Sequence, residues 1–305
     1  LGRPQVPLDR NSMERLVKGK CVMVTGAGGS IGSELVRQIC AFAPSRVVLS
    51  DNSEFALYSV DLETSETAPR VSRYAQYLDV RDAKRVVLAM ETHRPDLVFH
   101  AAALKHVPIV EDNVLDGIET NVQGTINVAD ACVEQGVGVM VLISTDKAVN
   151  PTSVMGATKR IAESYCQNLD MIANGNGTRF VTVRFGNVLG STGSVVPLFQ
   201  RQLANGGPLT VTHREMTRFF MTVREAVELV LQASALAAGT MEGDGEVPKG
   251  NICVLDMGEP VRIYDLAEQM IRLAGHVPGK DVAIEVVGIR QGEKLYEEVF
   301  HGGEP

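Results

Sequence analysis

Between Lys20 and Gly186, short apolar runs alternate with longer amphipathic stretches. The runs are Cys21-Val22-Met23-Val24, Val47-Val48-Leu49, Leu97-Val98-Phe99, Val139-Met140-Val141-Leu142-Ile143 and Phe180-Val181-Thr182-Val183. Near-continuous Val, Ile and Leu mean burial on both faces, the condition of a strand inside a parallel sheet. Between the runs, apolar residues recur at steps of three and four. Val114, Ile118, Val122, Ile126, Ala129 and Val133 predict one amphipathic helix with that face inward. Strands and helices in alternation make a doubly wound α/β domain over residues 20–186.

The flanks follow other patterns. Residues 1–19 hold Pro4 and Pro7 and a short polar helix candidate over 11–17, which reads as an arm or linker. After Gly186, Gly190, Gly193, Gly206, Gly207 and Pro208 punctuate short elements. A helix is predicted over 223–238, followed by a loop over 239–250. Residues 187–212 and 258–305 are assigned to a smaller C-terminal substrate-binding lobe. The segment at about 213–257 is assigned back to the main domain.

Composition narrows the function. The 305 residues are 45% hydrophobic and 22% charged, the ordinary mix of a folded globular chain. Aromatics are 5% with no Trp, and the net charge is −8, so neither base stacking nor phosphate-backbone binding is expected and no nucleic-acid partner is assigned. No apolar run approaches the ~20 residues that span a bilayer, so no membrane contact is expected from these residues. The five cysteines form no CxxC pair, which suits free thiols in a reducing, cytoplasmic compartment. The histidines lack metal-ligand spacing, and no metal is expected.

The strongest local signal is Val24-Thr25-Gly26-Ala27-Gly28-Gly29-Ser30-Ile31-Gly32. It follows the first strand and opens a helix. Glycines at 26, 29 and 32 permit a tight turn, close approach of backbone to a pyrophosphate, and close packing of helix on strand. Asp51 ends the second strand about 20 residues later, where a carboxylate holds ribose hydroxyls and repels a 2′-phosphate, which favours NAD over NADP. The plainer reading of Asp51 is a helix cap. Asp79 and Val80 follow the third strand and are candidates to frame the adenine edge.

Past the fifth strand come Ser144-Thr145-Asp146-Lys147 and then Met155-Gly156-Ala157-Thr158-Lys159. With the glycine loop, these resemble the extended short-chain dehydrogenase/reductase superfamily, which implies a Rossmann-like sheet. The stretches HAAALKHVP (100–108), STDKAVNPTSVMGATK (144–159), RFGNVLGSTGSVVPLF (184–199), VTHREMTRFFMTVREAVELVLQA (211–233) and RQGEKLYEE (290–298) resemble nucleotide-sugar 4,6-dehydratases of polysaccharide biosynthesis. Among these the UDP-N-acetylglucosamine 4,6-dehydratases match best. The start LGRPQVPLD is similar to the junction in long members that carry a membrane-spanning region upstream.

The resemblance implies lyase chemistry on a UDP-sugar with a recycled NAD: oxidation at C4, loss of water across C5 and C6, and hydride return to C6. It assigns Thr145 to O4, Asp146 as acid for O6, Lys147 as base at C5 and Lys159 to the nicotinamide ribose. A lysine is a base only when neutral, so its proton affinity is expected to be depressed by burial and by nearby positive charge. Asp146 is expected to keep a proton in a closed pocket. Met155 stands where the superfamily places a Tyr, and a thioether carries no proton at neutral pH, so water or Asp146 must take the O4 proton. The resemblance also puts Ser30, Ile31 and Ala101 beside the cofactor. It puts Lys105, His106, Asn187, Arg218, Arg290 and Glu293 beside the substrate, and it implies a homo-oligomer. Two alternatives stay open: a UDP-sugar 4-epimerase, which needs no C5/C6 acid–base pair, and a non-catalytic NAD-binding sensor.

Overall fold

The computed structural model describes residues 7–173, 177–191, 193–241 and 247–301. Its strands are β1 Cys21–Thr25, β2 Arg46–Asp51, β3 Arg73–Tyr77, β4 Leu97–His100, β5 Val139–Thr145, β6 Arg179–Phe185 and β7 Asn187–Leu189, then β8 Leu209–Val211, β9 Thr217–Arg218, β10 Phe220–Thr222, β11 Ile252–Val254, β12 Val261–Arg262 and β13 Ile284–Val286. Seven of them form one parallel sheet in the order β11-β6-β5-β4-β1-β2-β3. This is a Rossmann-like doubly wound sheet. Its order reverses between β1 and β4, and crevices for ligands open at such reversals, outside the carboxyl ends of the strands. The buried apolar runs of β1, β2 and β4 fit the expected burial on both faces. By contrast β3, Arg-Tyr-Ala-Gln-Tyr, has no apolar run, because it is the edge strand and is half open to solvent.

The helix predicted over 114–133 is interrupted. Helix Val114–Ile118 passes through a π-helical turn, Glu119–Gln123, into helix Gly124–Gln135. The wider turn rotates the phase of the helix beyond it. Val114, Ile118 and Val133 end up substantially exposed, while Asn121, Thr125, Val128, Ala129 and Cys132 are buried. The predicted face is thus buried only in part, with Ala129 inside and Val122 and Ile126 half-buried, since a π turn adds one residue that a 3.6 period does not count.

The stretch read as an arm is also packed. Helix Arg10–Val17 is capped by Asp9 and buries Met13, Leu16 and Val17 in the main core beside helix Val223–Ala237. A separate cluster, with Phe199, Leu209, Phe220, Ile263, Ala267 and Ile271 among its members, brings together helices Val195–Ala204 and Ile263–Leu273 and the short strands β8 and β10. The pairs β7–β10, β9–β12 and β8–β13 stand apart from the large sheet. No described helix is long and apolar enough to cross a membrane.

Candidate active site

At the end of β1, the chain turns because three glycines leave room. Gly26 takes a positive φ of 69°, and a Cβ there would lie 2.6 Å from the Ala102 nitrogen. At Gly32 a Cβ would meet the Gly26 carbonyl oxygen at 1.9 Å. Helix Ser30–Cys40 begins at Gly29, which offers no side-chain cap, and the positive end of a helix favours an anion. The Asp51 carboxylate accepts from the Gly28 N–H and the Ser53 N–H, each at 2.9 Å. Ser53, not Asp51, caps the next helix.

Beside this turn lies a cavity of about 300 Å³, lined by Gly26, Gly29, Asp51, Leu78, Val80, Arg81 and Ala101 among others. Val80 faces it, whereas Asp79 does not. The Asp79 carboxylate is drawn to Arg81 at 2.6 Å, which holds it below the usual carboxylate range. Space beside the glycine backbone, with a ribose-range carboxylate at one end, fits a dinucleotide.

A larger cleft of about 580 Å³ adjoins it across Gly29 and Ala101. Its lining includes Ser30, Ile31, Lys105, His106, Thr145, Lys147, Met155, Lys159, Asn187, Arg218, Arg290 and Glu293. The loop after β4 supplies Lys105 and His106. Loss of hydration along the cleft wall lowers the proton affinity of both, and Lys105 adds its charge against the imidazolium of His106. Gly193 has no side chain because a Cβ would come within 2.3 Å of the His106 ring. His100, at the end of β4, is core: its ring bridges Thr25 and Thr125 at 2.7 and 3.1 Å and is held neutral by burial, down to about 3.

The end of β5 carries the charged group. Thr145 Oγ donates to Asp146 Oδ1 at 3.0 Å. Lys147 Nζ reaches Asp146 Oδ1 at 3.0 Å, Asn187 Oδ1 at 3.0 Å and Glu297 Oε1 at 3.3 Å. Asp146 is fully buried behind Thr145 and Lys147 rather than in the cleft wall, and its Oδ2 has no hydrogen-bond partner. The expected depression of Lys147 is not what this arrangement produces. Burial opposes its charge, but Asp146 and Glu297 together outweigh burial, and its proton affinity is raised. Two carboxylates within ion-pair distance were not foreseen, because one of them comes from the far end of the chain.

Helix Val154–Ile172 is capped by Ser153 and puts Met155 and Lys159 one turn apart on its cleft-facing side. Lys159 Nζ donates to the Ile143 carbonyl at 2.7 Å and is held down to about 8 by burial, partly offset by Glu163. Arg218 is already engaged by the Glu297 carboxylate at 3.4 Å and by the Lys294 carbonyl at 2.9 Å. Arg290 and Glu293 sit on the same exposed turn, joined through the Arg290 N–H.

Four supporting groups escaped the sequence reading. Gly28 packs against Ala56 and donates to Asp51. Asn121 clamps both the N–H and the carbonyl of Leu104 and also bonds Thr158, which ties the β4 loop to the Lys159 helix. Glu163 and Arg184 form a fully buried ion pair at 2.8 Å that also receives Ser144 Oγ at 2.6 Å. Glu297 is the fourth. Asn121 left no signal of its own, being one of several polar residues in an amphipathic stretch. The rest are long-range pairings that local pattern does not encode.

The family model for polysaccharide biosynthesis proteins matches residues 22–305. The capsular polysaccharide biosynthesis protein CapD of Staphylococcus aureus is 50% identical over the whole chain, which spans 49% of that protein. The chain thus spans about half the length of that relative. A UDP-N-acetylglucosamine 4,6-dehydratase (inverting) of Campylobacter jejuni is 35% identical over 91% of this chain and 76% of its own. A UDP-glucose 4-epimerase of Rickettsia canadensis is also 35% identical, over 91% and 76%. Among solved structures, Pen from Bacillus thuringiensis superposes with a TM-score of 0.82 at 34% identity, covering 93% of this chain and 82% of that one. The dTDP-glucose 4,6-dehydratase DesIV of Streptomyces venezuelae, solved with NAD bound, shares the fold with a TM-score of 0.75 at 24% identity, over 92% and 88%.

Proposed function

The chain belongs to the polysaccharide biosynthesis protein family, and within it we propose that this domain is an NAD-dependent 4,6-dehydratase of a UDP-amino sugar, most directly UDP-N-acetylglucosamine. The observation that carries the reading is the Thr145–Asp146–Lys147 group at the end of β5: Thr145 and Lys147 line one cleft with Gly29 and Gly32 of the glycine loop, and Asp146 is bonded to both from behind. A 4-epimerase has no use for an acid–base pair at C5 and C6. A sensor has no use for three coupled proton-carrying groups.

NAD, when bound, supplies hydride acceptance from C4 and hydride return to C6. Gly26, Gly29 and Gly32 would admit its pyrophosphate, Asp51 its adenosine ribose and Lys159 its nicotinamide ribose. Thr145 holds O4. Because its hydroxyl already donates to Asp146, the O4 proton passes through Thr145 to Asp146, the route that replaces the absent Tyr at Met155. Asp146 then holds the proton that the leaving C6 hydroxyl needs and returns it through the Thr145 hydroxyl, which stands between Asp146 and the cleft. Once neutral, it ceases to favour the ammonium form of Lys147, which becomes free to take the C5 proton. Arg218, Arg290 and Glu293 would meet the nucleotide, with guanidinium suited to diphosphate.

The test is incubation of the protein with NAD and UDP-N-acetylglucosamine in heavy water, followed by NMR. A 4-keto-6-deoxy product with deuterium at C5 supports the reading, and UDP-N-acetylgalactosamine would replace it by epimerisation. Lys147→Ala should slow dehydration by about 10²–10⁴-fold, the usual cost of a lost acid or base, and should accumulate a 4-keto sugar that still holds its C6 hydroxyl. Bound NAD with an unchanged sugar would leave the sensor.

A further inference from the structure

One buried charge beside this machinery takes no part in the steps above. The Glu297 side chain is 2% exposed and lies outside the cleft lining. Its Oε1 stands 3.3 Å from Lys147 Nζ and 3.4 Å from Arg218 Nε, and its Oε2 is buried with no hydrogen-bond partner. An ionised carboxylate is expensive to bury unless cations accompany it, and here two do. Its place is fixed from both sides along the chain. Lys294 Nζ donates to the Val149 carbonyl at 2.6 Å, Arg218 donates to the Lys294 carbonyl at 2.9 Å, and Arg184 donates to the Val299 carbonyl at 3.2 Å. The C-terminal segment is thus strapped to the loop after β5, and the strap delivers a carboxylate to the back of the lysine.

We propose that Glu297 is a positioning residue that, together with Asp146, grips the Lys147 ammonium from outside the cleft and so sets the pH above which this lysine acts as a base. The charges that bear on Lys147 are Asp146 from its own loop, Glu297 from the strap and Arg218 from β9, with the neutral Asn187 from β7. On the strap itself, Lys294 is turned to Glu298 and to Val149, and Glu293 to the Arg290 N–H. When Asp146 takes up the O4 proton, Glu297 is the one anion left on Lys147 among the described residues, so its charge decides how readily the amine forms. The inference rests on Lys147 being the C5 base.

Two measurements on the full chain test it. The first is trace labelling with acetic anhydride across pH, read by mass spectrometry, which gives the midpoint at which Lys147 becomes an amine. The second is the pH profile of kcat/KM with UDP-N-acetylglucosamine. Glu297→Gln should lower both the labelling midpoint and the acid limb by about one pH unit or more, the effect of an opposite charge within ion-pair distance. Glu297→Asp keeps the charge and should stay near wild type in both. An unmoved midpoint in folded Glu297→Gln overturns the proposal. So does a midpoint in Glu297→Asp lowered as far as in Glu297→Gln, since shape and not charge would then be at work. A midpoint that moves while the acid limb stays overturns the link to base function. If wild type turns over no UDP-N-acetylglucosamine, the proposed reaction fails, and the labelling midpoint still decides what Glu297 does to Lys147.

Discussion

The loops after β1 and β5 leave the same edge of one sheet, yet they are built on opposite rules. The β1 loop works by absence. Gly26, Gly28 and Gly32 stand where any Cβ would strike backbone or Ala56, and the helix behind them starts without a side-chain cap. The β5 loop works by presence. Thr145, Asp146 and Lys147 are held by Asn187 of β7, Glu297 of the strap and one another. Backbone N–H groups bind an anion only if nothing covers them. Proton transfer needs side chains with countercharges arranged around them. One site therefore fails when atoms are added and the other when atoms are removed.

The largest expected effect comes from adding one carbon. Gly32→Ala sets a Cβ 1.9 Å from the Gly26 carbonyl oxygen, and both are backbone that holds the turn. Overpacking ordinarily costs about 1–3 kcal/mol, and a backbone clash belongs at the top of that range. NAD binding should weaken about 100-fold or more, equivalent to about 3 kcal/mol, by titration calorimetry. Gly29→Ala is the control: its nearest atom would be the same oxygen at 3.2 Å, so the loss should be much smaller. Equal losses would mean that the glycines serve flexibility rather than space.

The same contrast explains which parts of the site are legible in the sequence. A loop made of absences is written in one short stretch, so Gly26, Gly29, Gly32 and Asp51 are legible from spacing, and apolar runs give the parallel sheet. A loop made of side chains is legible only in its own residues. Thr145, Asp146 and Lys147 stand out, but the charge state expected of Lys147 is the wrong one, because it depends on Glu297, 150 positions away in the sequence. The π turn at Glu119–Gln123 and the packing of helix Arg10–Val17 escape for a related reason. Each is set by what the segment meets in the fold rather than by its own pattern.

Removing a charge from the β5 side should sharpen the comparison by raising stability while losing function. Lys159 is held down to about 8, against 10.5 for an exposed lysine, chiefly by burial. The folded protein therefore binds this proton more weakly than the unfolded chain does. Below pH 8 the full penalty, about 3 kcal/mol, weighs on the fold; it fades as pH rises from 8 and is gone above 10.5. Lys159→Met removes the penalty and loses one hydrogen bond to Ile143, worth about 1 kcal/mol. Chemical denaturation should show the ligand-free variant more stable by about 2 kcal/mol at pH 6.5 and not at pH 10.5, with turnover lost. A variant that is less stable at both would mean that Lys159 is structural.

The smallest effect is expected at Met155, a cleft residue of the β5 side that carries neither charge nor exchangeable proton. It is 2% exposed and sits one helical turn before Lys159. The first turn of its helix is fixed by other atoms. Ser153 Oγ accepts from the Gly156 N–H at 3.1 Å, and Gly156 packs so tightly that a Cβ would lie 2.2 Å from the Lys147 carbonyl oxygen. Exchanging Met for Leu touches neither contact. Volume-conserving swaps in a packed site cost less than about 1.5 kcal/mol, so Met155→Leu should keep turnover within about tenfold of wild type. Its solvent deuterium at C5 should be unchanged, since the O4 proton leaves through Thr145 and Asp146. Thr145→Val breaks that route and should cost far more, about 10²–10⁴-fold. If Met155→Leu abolished turnover in a folded protein, the thioether would be acting on the reacting sugar itself, and the β5 loop would not be the sole seat of the proton chemistry.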